Sequence, residues 1–126
     1  MPVEPRTETQ LQNRIKKEVK KLRPTAWIFH PVGSPYQEPG IPDLLLCLDG
    51  LFIAMEIKCP KPGESIEHAR GRATIQQRSQ IKRIIAAGGM AGVVTSVDEA
   101  LDLVHRAFVR RDALLREKGW TNANSA

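Results

Sequence analysis

Cysteine is scarce in this sequence, and long apolar runs and a secretory leader are missing from it. The two cysteines, Cys47 and Cys59, match no zinc-ligand spacing, and we expect both to be buried free thiols. The longest apolar stretch, residues 44–57, is interrupted by Asp49-Gly50 and is shorter than the roughly 20 residues that a membrane-spanning helix needs. No charged-then-apolar leader opens the chain, so we expect a cytoplasmic protein without a membrane partner.

The 126 residues are enough for one domain with a buried core. We expect that domain over residues 1–115, followed by a polar tail over residues 116–126. Nineteen Lys and Arg against 14 Asp and Glu give a net charge of +5, which indicates a polyanionic partner. The alternative for any single basic cluster is a solvated helix face.

One segment in the middle of the chain predicts a β-hairpin. Two hydrophobic strands, Asp43–Leu48 and Leu51–Cys59, are joined by Asp49-Gly50. An Asp-Gly pair between apolar runs is typical of a two-residue type I′ turn, because both residues tolerate a positive φ. Apolar residues fall on both faces of this hairpin, so we expect it to be central in its sheet and covered on both sides.

Two acids and a lysine converge on one face of this hairpin. With a two-residue turn, facing residues have numbers that add up to 99, so Asp43 faces Glu56, and Lys58 points to the same side. An acid pair among apolar residues repels itself unless a cation or a proton intervenes. The alternative is that Asp43 only begins a strand and that Glu56 and Lys58 form an exposed pair on an edge.

Carboxylate oxygens favour Mg²⁺ or Mn²⁺, and the main-chain carbonyl of Ile57 could add a further oxygen. A metal there would polarise a phosphoryl oxygen and activate a water molecule. Lys58 could orient that water or stabilise the negative charge of the transition state. The pattern therefore suits phosphodiester hydrolysis.

The first helix is predicted to begin at Thr7, with Gln10 at the capping-box spacing, and to end before Pro24. Glu8 lies on the same stripe as the apolar residues of this helix, which is unusual for a carboxylate. The alternative is that Glu8 only occupies the first turn, where acids favour the helix dipole. A strand over Thr25–Val32 and a loop over residues 33–42 then lead to the hairpin.

Beyond the hairpin, residues 60–73 are polar and basic and predict a long loop. Three elements are predicted after it: a helix from the capping box Thr74/Gln77 through Ala87, a strand over Ala91–Val97, and a helix capped by Ser96 and Glu99. Gln76 and Gln77 are adjacent, and only the register with Ile81 and Ile84 favours Gln77 on the apolar stripe. The predicted order is α-β-β-β-α-β-α.

Pro42-Asp43 followed by Glu56-Ile57-Lys58 resembles the PD-(D/E)xK signature of metal-dependent nucleases. Over about residues 7–108 the surrounding motifs resemble the VRR-NUC family of that superfamily. They are Glu8 with Leu11 and Gln12, Gly40-Ile41-Pro42-Asp43, Asp49-Gly50, Thr74 with Gln77 ahead of Ala86-Ala87-Gly88-Gly89, and Ser96-Val97-Asp98-Glu99-Ala100.

The resemblance implies an α/β fold with a restriction-endonuclease-like core, in which a mixed central β-sheet is flanked by helices. It implies that Asp43 and Glu56 bind Mg²⁺ or Mn²⁺ and that Lys58 is catalytic. Glu8, directly or through water, and Gln77 would complete the site.

The resemblance further implies a structure-selective endonuclease for branched DNA, such as flaps or four-way junctions. A stand-alone member of the bacterial or phage type is expected to act as a homodimer in a bacterial or phage-infected cell. We expect His68, Arg70, Arg72 and Arg78 to contact the nucleic acid. The alternatives are a DNA-binding module that does not cut and a non-nucleolytic metal- or phosphate-binding protein.

Overall fold

The computed structural model describes residues 4–119, and the chain there forms a four-stranded sheet flanked by helices. The strand order is β1-β2-β3-β4, with antiparallel pairing among the first three strands and β4 parallel to β3. This confirms the predicted mixed α/β sheet. The elements are α1 (Glu8–Leu22), β1 (Trp27–Phe29), β2 (Leu44–Leu48), β3 (Leu51–Ile57), α2 (Ile66–Gly71), α3 (Ile75–Ala86), β4 (Met90–Val94) and α4 (Val97–Glu117).

The hairpin of β2 and β3 has the predicted turn and the predicted register. Asp49 and Gly50 have φ values of 50° and 78°, as a type I′ turn requires. Every pair from Leu44↔Met55 to Leu48↔Leu51 has numbers that add up to 99. The local turn chemistry therefore decides which side chains share a face.

One face of the sheet forms the hydrophobic core and is named here the core face. Helices α1 and α4 pack on it, each with one apolar stripe. A 3.6-residue repeat of apolar residues gives each of these helices one continuous side that it can bury against the sheet. The largest fully buried residues of this core are Leu11, Ile15, Leu44, Leu46, Ile53, Met55, Ile57 and Leu103.

The other face, named here the acid face, carries Asp43 and Glu56 and is only half covered. Helix α3 packs against β3 and β4. Over β1 and β2 the apolar side chains stay accessible, and Trp27 and Phe29 are 54% and 48% exposed. The predicted coverage of both faces is therefore wrong for this half. Cys47 lies there and is exposed, whereas Cys59 is buried as predicted, and both thiols are free.

Four helix starts are capped by a hydroxyl side chain that accepts a backbone N–H, which satisfies one of the first-turn donors. Three of these caps, at Thr7, Thr74 and Ser96, lie where the sequence predicted them. The fourth, Ser65, accepts from the N–H of His68 at 3.0 Å and begins α2 inside the predicted loop. A helix of this length is too short to show a hydrophobic period, so the prediction missed it.

All four strands are shorter than predicted: β2 begins at Leu44 and not at Asp43, and the other three strands end earlier than predicted. β1 ends at Phe29 because Pro31 has no N–H to continue the ladder. β3 ends at Ile57, one residue before Lys58, whose N–H still donates to the carbonyl of Val94 at 3.0 Å. β4 ends at Val94 because Thr95 already bonds Glu99 in the first turn of α4.

Helix α4 continues to Glu117 and so enters the segment predicted as a polar tail. The rest of that tail, with Trp120, lies outside the described residues. Within residues 4–119, none of the helices combines the length and the apolar composition needed to cross a bilayer.

Candidate active site

Glu56 lies on the acid face beneath α3 and is only 2% exposed. Its Oε2 accepts a hydrogen bond from Nε2 of Gln77 at 3.0 Å and lies 3.3 Å from Nζ of Lys58. Its Oε1 is buried and has no hydrogen-bond partner. One oxygen of this carboxylate is therefore held by the protein, and the other is left unsatisfied.

Asp43 stands directly before β2, opposite Glu56, as the hairpin register predicted. Its Oδ2 accepts the backbone N–H of Ile57 at 2.8 Å, so the carboxylate replaces a ladder partner at the end of the sheet. The N–H and C=O of a strand residue point to the same side, so the Ile57 carbonyl faces the side on which Asp43 lies. The main-chain oxygen of Asp43 lies 2.8 Å from Nδ1 of His30, a residue to which the sequence assigned no role.

Glu56 is a buried acid next to a second acid, and its pKa reflects both conditions. Burial, together with the neighbouring Asp43 carboxylate, raises the pKa of Glu56 to about 8, although the Lys58 ammonium opposes the shift. Two ionised carboxylates have no proton to share, so a proton or a cation between Asp43 and Glu56 would relieve their repulsion.

The donor set suits a hard divalent cation. Mg²⁺ is usually bound by one or two carboxylates and completes its shell with water and substrate phosphates. Within residues 4–119, no group of three or more His, Cys, Asp or Glu side chains is arranged to hold a metal. Asp43 and Glu56 would therefore act as a pair, with the Ile57 carbonyl as a further oxygen.

Gln77 joins helix α3 to Glu56 through both ends of its amide. Its Oε1 accepts the N–H of Thr74 at 2.8 Å and completes the capping box, while its Nε2 donates to Glu56. The alternative between Gln76 and Gln77 is thereby decided for Gln77. Gln77 therefore completes the predicted capping box and contacts Glu56 at the same time.

The loop over residues 33–42 is packed against α3 and sets the position of Asp43 relative to Gln77. Gly40 has a φ of 85°, and a Cβ on it would come within 2.8 Å of the Gln77 nitrogen and would also collide with the main chain of Gln76. Gln80 donates to the carbonyl of Pro39 at 3.2 Å, which holds the loop in place. A residue without a side chain is required at this close approach.

Glu8 is exposed, and its carboxylate accepts a hydrogen bond from Nη1 of Arg72 at 3.3 Å. Arg72 also bonds the carbonyl of Cys59 at 2.9 Å and Glu64 at 3.0 Å. Glu8 is therefore connected to the end of β3 through Arg72. The absence of a three-carboxylate group among residues 4–119 does not support direct ligation of a metal by Glu8.

The basic residues predicted to contact nucleic acid mostly bond the protein itself. Arg70 pairs with Glu99 and donates to the carbonyl of Val93 at 2.8 Å. Arg78 donates to two main-chain carbonyls, and the ring of His68 lies 2.6 Å from Glu64. For Arg70 and Arg72 the structure shows an internal role, and contact of these four residues with DNA stays a prediction.

Glu64, like His30, belongs to this region although the sequence did not single it out. Arg72, the backbone N–H of Lys61 and the ring of His68 lower its pKa to about 2, so it is the fixed anion of this corner. The pair Glu64 and His68 stands at the i, i+4 spacing, which was the available signal.

No protein-family model matches the chain, and no curated protein matches it either. Two solved structures are similar to it. One, described as a VRR_NUC domain, has a TM-score of 0.55 at 20% identity and covers 80% of this chain and 97% of its own length. The other, a VRR_NUC domain protein, has a TM-score of 0.59 at 20% identity and covers 79% of this chain and 85% of its own. The chain therefore has the fold of VRR_NUC domains, a mixed α/β sheet of the restriction-endonuclease-like type.

Proposed function

We propose that this chain is a divalent-metal-dependent DNA endonuclease whose metal ligands are Asp43 and Glu56. The observation that carries the proposal is the unsatisfied, buried Oε1 of Glu56 beside a second carboxylate. Lys58 and Gln77 border the same acid, and the fold is that of VRR_NUC domains. A buried carboxylate oxygen without a partner is costly, and a cation in the active form would remove that cost.

The two oxygens of Glu56 have different roles in this proposal: one binds the protein, and the other would bind the metal. Gln77 binds Oε2, and Oε1, which has no hydrogen-bond partner, would be available to a cation held together with Asp43. A bound Mg²⁺ or Mn²⁺ would supply Lewis acidity towards a phosphoryl oxygen and lower the pKa of a water molecule. The Ile57 carbonyl would contribute a further oxygen from the strand.

Lys58 is the cation that the protein itself brings to this site. Its ammonium lies 3.3 Å from Glu56, and its side chain is only 12% exposed. In this position it can stabilise the negative charge that builds on the phosphoryl oxygens, and it can orient the attacking water. Glu8 is proposed to act at a distance, because Arg72 links it to the carbonyl of Cys59, the residue after Lys58.

We propose DNA as the substrate, with a preference for branched forms such as flaps and four-way junctions. The net charge of +5 supports a polyanionic substrate. Symmetric cuts in a four-way junction need two sites, so a homodimer belongs to this proposal, as does a bacterial or phage-infected cytoplasm.

The test is cleavage of labelled duplex, flap, splayed-arm and four-way-junction DNA, with Mn²⁺ or Mg²⁺ and with chelator. Asp43→Ala, Glu56→Ala and Lys58→Ala should each lower the cutting rate by about 100-fold or more, because each removes a group that the proposed reaction needs. Binding of DNA in chelator should stay within about threefold of wild type. Asp102→Ala, an exposed acid paired with Arg106 on α4, is the matched control and should cut normally.

Cutting that survives both Glu56→Ala and chelator would refute the metal mechanism. DNA binding without cutting under every metal tested would instead favour the alternative of a non-cleaving DNA-binding module. A melting curve for each variant separates a lost reaction from a lost fold.

A further inference from the structure

The uncovered half of the acid face, together with the exposed Phe52 of β3 at its border, forms an uncharged surface in register with the two acids. It consists of Trp27, Phe29, Leu45, Cys47 and Phe52, and is named here the aromatic platform. The pairs Trp27↔Cys47 and Cys47↔Phe52 form one row across three strands, and Phe29↔Leu45 begins the next. Asp43 lies two residues before Leu45 on the same face. The two acids therefore form the next row after that of Phe29 and Leu45.

The two rings on β1 are parallel and accessible. Their centroids are 5.8 Å apart and their planes differ by 11°. Phe52, on β3, is 41% exposed, and Cys47 is also exposed. Contiguous apolar side chains of this kind on a folded protein are characteristic of a binding surface rather than of an ordinary exterior.

We propose that the aromatic platform binds unpaired nucleobases of the DNA strand that is cut. The inference rests on the proposed function, since it takes the phosphate to lie at Asp43 and Glu56. Rows two residues apart on a strand are separated by roughly 7 Å. The base of a nucleotide close to the cut would therefore reach Phe29, and a further base would reach Trp27.

The chemistry of the platform selects bases over phosphates. None of its five side chains carries a charge, so it offers nothing to a phosphate group. Every base has a π-face, and stacking on Trp or Phe is a sequence-tolerant way to hold a single strand. The metal site and Lys58 would hold the charged part of the nucleotide, and the platform the uncharged part.

The platform also gives a physical reason for a preference among DNA structures. In a continuous duplex each base is stacked on its neighbours, so its faces are not available to a protein. At a flap, a splayed arm or a junction the bases near the branch can unstack at lower cost. Substrates with unpaired nucleotides next to the cut would therefore gain contacts that a duplex cannot make.

A second copy of the chain is the competing occupant, because exposed apolar patches also mark protein interfaces. The position of the platform argues against it. Phe29 and Leu45 lie one row from Asp43 on the same face. A partner chain covering them would lie one row from Asp43, next to the position proposed for the phosphodiester.

The experiment compares two strands of equal length in chelator, so that no cutting occurs. One is oligothymidylate, and the other has the same phosphates but abasic sugars. Wild type should bind oligothymidylate about tenfold more tightly than the abasic strand. Trp27→Ala should lose that advantage and bind the abasic strand as wild type does. Val109→Ala, an exposed apolar residue on α4, is the matched control and should bind both strands normally.

Two further measurements keep the test decisive. Phe29→Leu keeps an apolar side chain but removes the π-face, so it should lose the same preference without loss of the fold. In a Trp120→Phe protein Trp27 is the remaining one of the two tryptophans, and its fluorescence should be quenched by oligothymidylate and not by the abasic strand.

If Trp27→Ala weakened the binding of oligothymidylate and of the abasic strand equally, the proposal would be overturned. A Trp27→Ala protein that keeps its preference for bases but sediments as a smaller species than wild type would also overturn it, because the platform would then be an interface between copies. If metal-dependent cutting persists while the base preference is absent, the platform fails and the proposed function stands. If no DNA is cut with any metal, the proposed function itself fails.

Discussion

At the scale of single residues, Glu56 is the one acidic or basic residue that is buried among residues 4–119. Burying a carboxylate costs free energy unless a donor or a cation compensates it. Lys58 and Gln77 compensate one of its oxygens, and the other has no partner. The site therefore lowers the stability of the metal-free protein at any pH at which this acid is ionised.

The first prediction concerns pH and stability without metal. The pKa of Glu56 is raised from 4.5 to about 8 in the fold, so the folded state binds the extra proton between these values. Its stabilising effect is fully present below the unfolded pKa and is lost as the pH rises through 8. Between about pH 5.5 and about pH 8.5 we expect wild type to lose roughly 3 kcal/mol relative to Glu56→Gln.

The measurement is urea unfolding of both proteins in chelator at the two pH values. Adding excess Mg²⁺ should reduce the loss in wild type and leave Glu56→Gln unchanged, because the ionised acid then has a cation beside it. An equal pH dependence in the two proteins would show that Glu56 does not hold the extra proton.

The second prediction separates the two roles of Gln77. Gln77→Glu keeps an oxygen that can accept the Thr74 N–H, but it replaces the donor to Glu56 with a second acid. We expect the cutting rate to fall by about tenfold or more while α3 stays capped.

Thr74→Ala is the matched variant, because it removes the cap and leaves the donor in place. It should cost about 1 kcal/mol in unfolding free energy and leave most of the cutting rate. Cleavage assays and melting curves on both proteins check this. If Thr74→Ala lost as much activity as Gln77→Glu, the role of Gln77 would be only structural.

At the scale of elements, the loop over residues 33–42 and helix α3 behave as one unit. Gly40 touches the first turn of α3, and Gln80 bonds the carbonyl of Pro39. Since the loop ends at Asp43 and the helix carries Gln77, this packing fixes the distance between the two sides of the site.

The third prediction tests that unit. Gly40→Ala must keep a φ of 85° and meets the main chain of Gln76 and Gln77, so the loop has to move. We expect a loss of about 1–3 kcal/mol in unfolding free energy and a larger proportional loss of cutting. Gly33→Ala, with nothing within 4 Å of its Cβ, is the control and should be close to neutral. Urea unfolding and cleavage rates check this, and a neutral Gly40→Ala would contradict the packing role.

Residues 60–73 differ from their prediction at the scale of elements. The sequence predicted a basic loop that meets the substrate, and the structure shows a capped helix, α2, in its middle. Arg72 connects three separate parts of the chain by bonding Glu8, Cys59 and Glu64. Charge in a sequence does not reveal whether its partner is solvent, a substrate or the protein.

At the scale of the whole molecule, the predictable part of the site is the part that a short turn specifies. Asp49-Gly50 sets the register, and the register places Asp43 opposite Glu56 through local geometry alone. The caps at Thr7, Thr74 and Ser96 were predictable for the same reason, because each involves residues three positions apart. The contact of Gln77 with Glu56 could not be predicted from local geometry, because it depends on α3 packing on the acid face.

What the sequence determined by itself was therefore the hairpin, three of the four helix starts and the pair of acids, since short-range sterics and hydrogen bonds specify them. Only the tertiary structure decided that α3 covers one half of the acid face, that Arg72 engages Glu8, and that Trp27 and Phe29 stay open beside the acids. These outcomes depend on how distant segments divide a limited amount of apolar surface and charge among themselves. A local pattern contains no information about that division, because every candidate partner lies elsewhere in the chain.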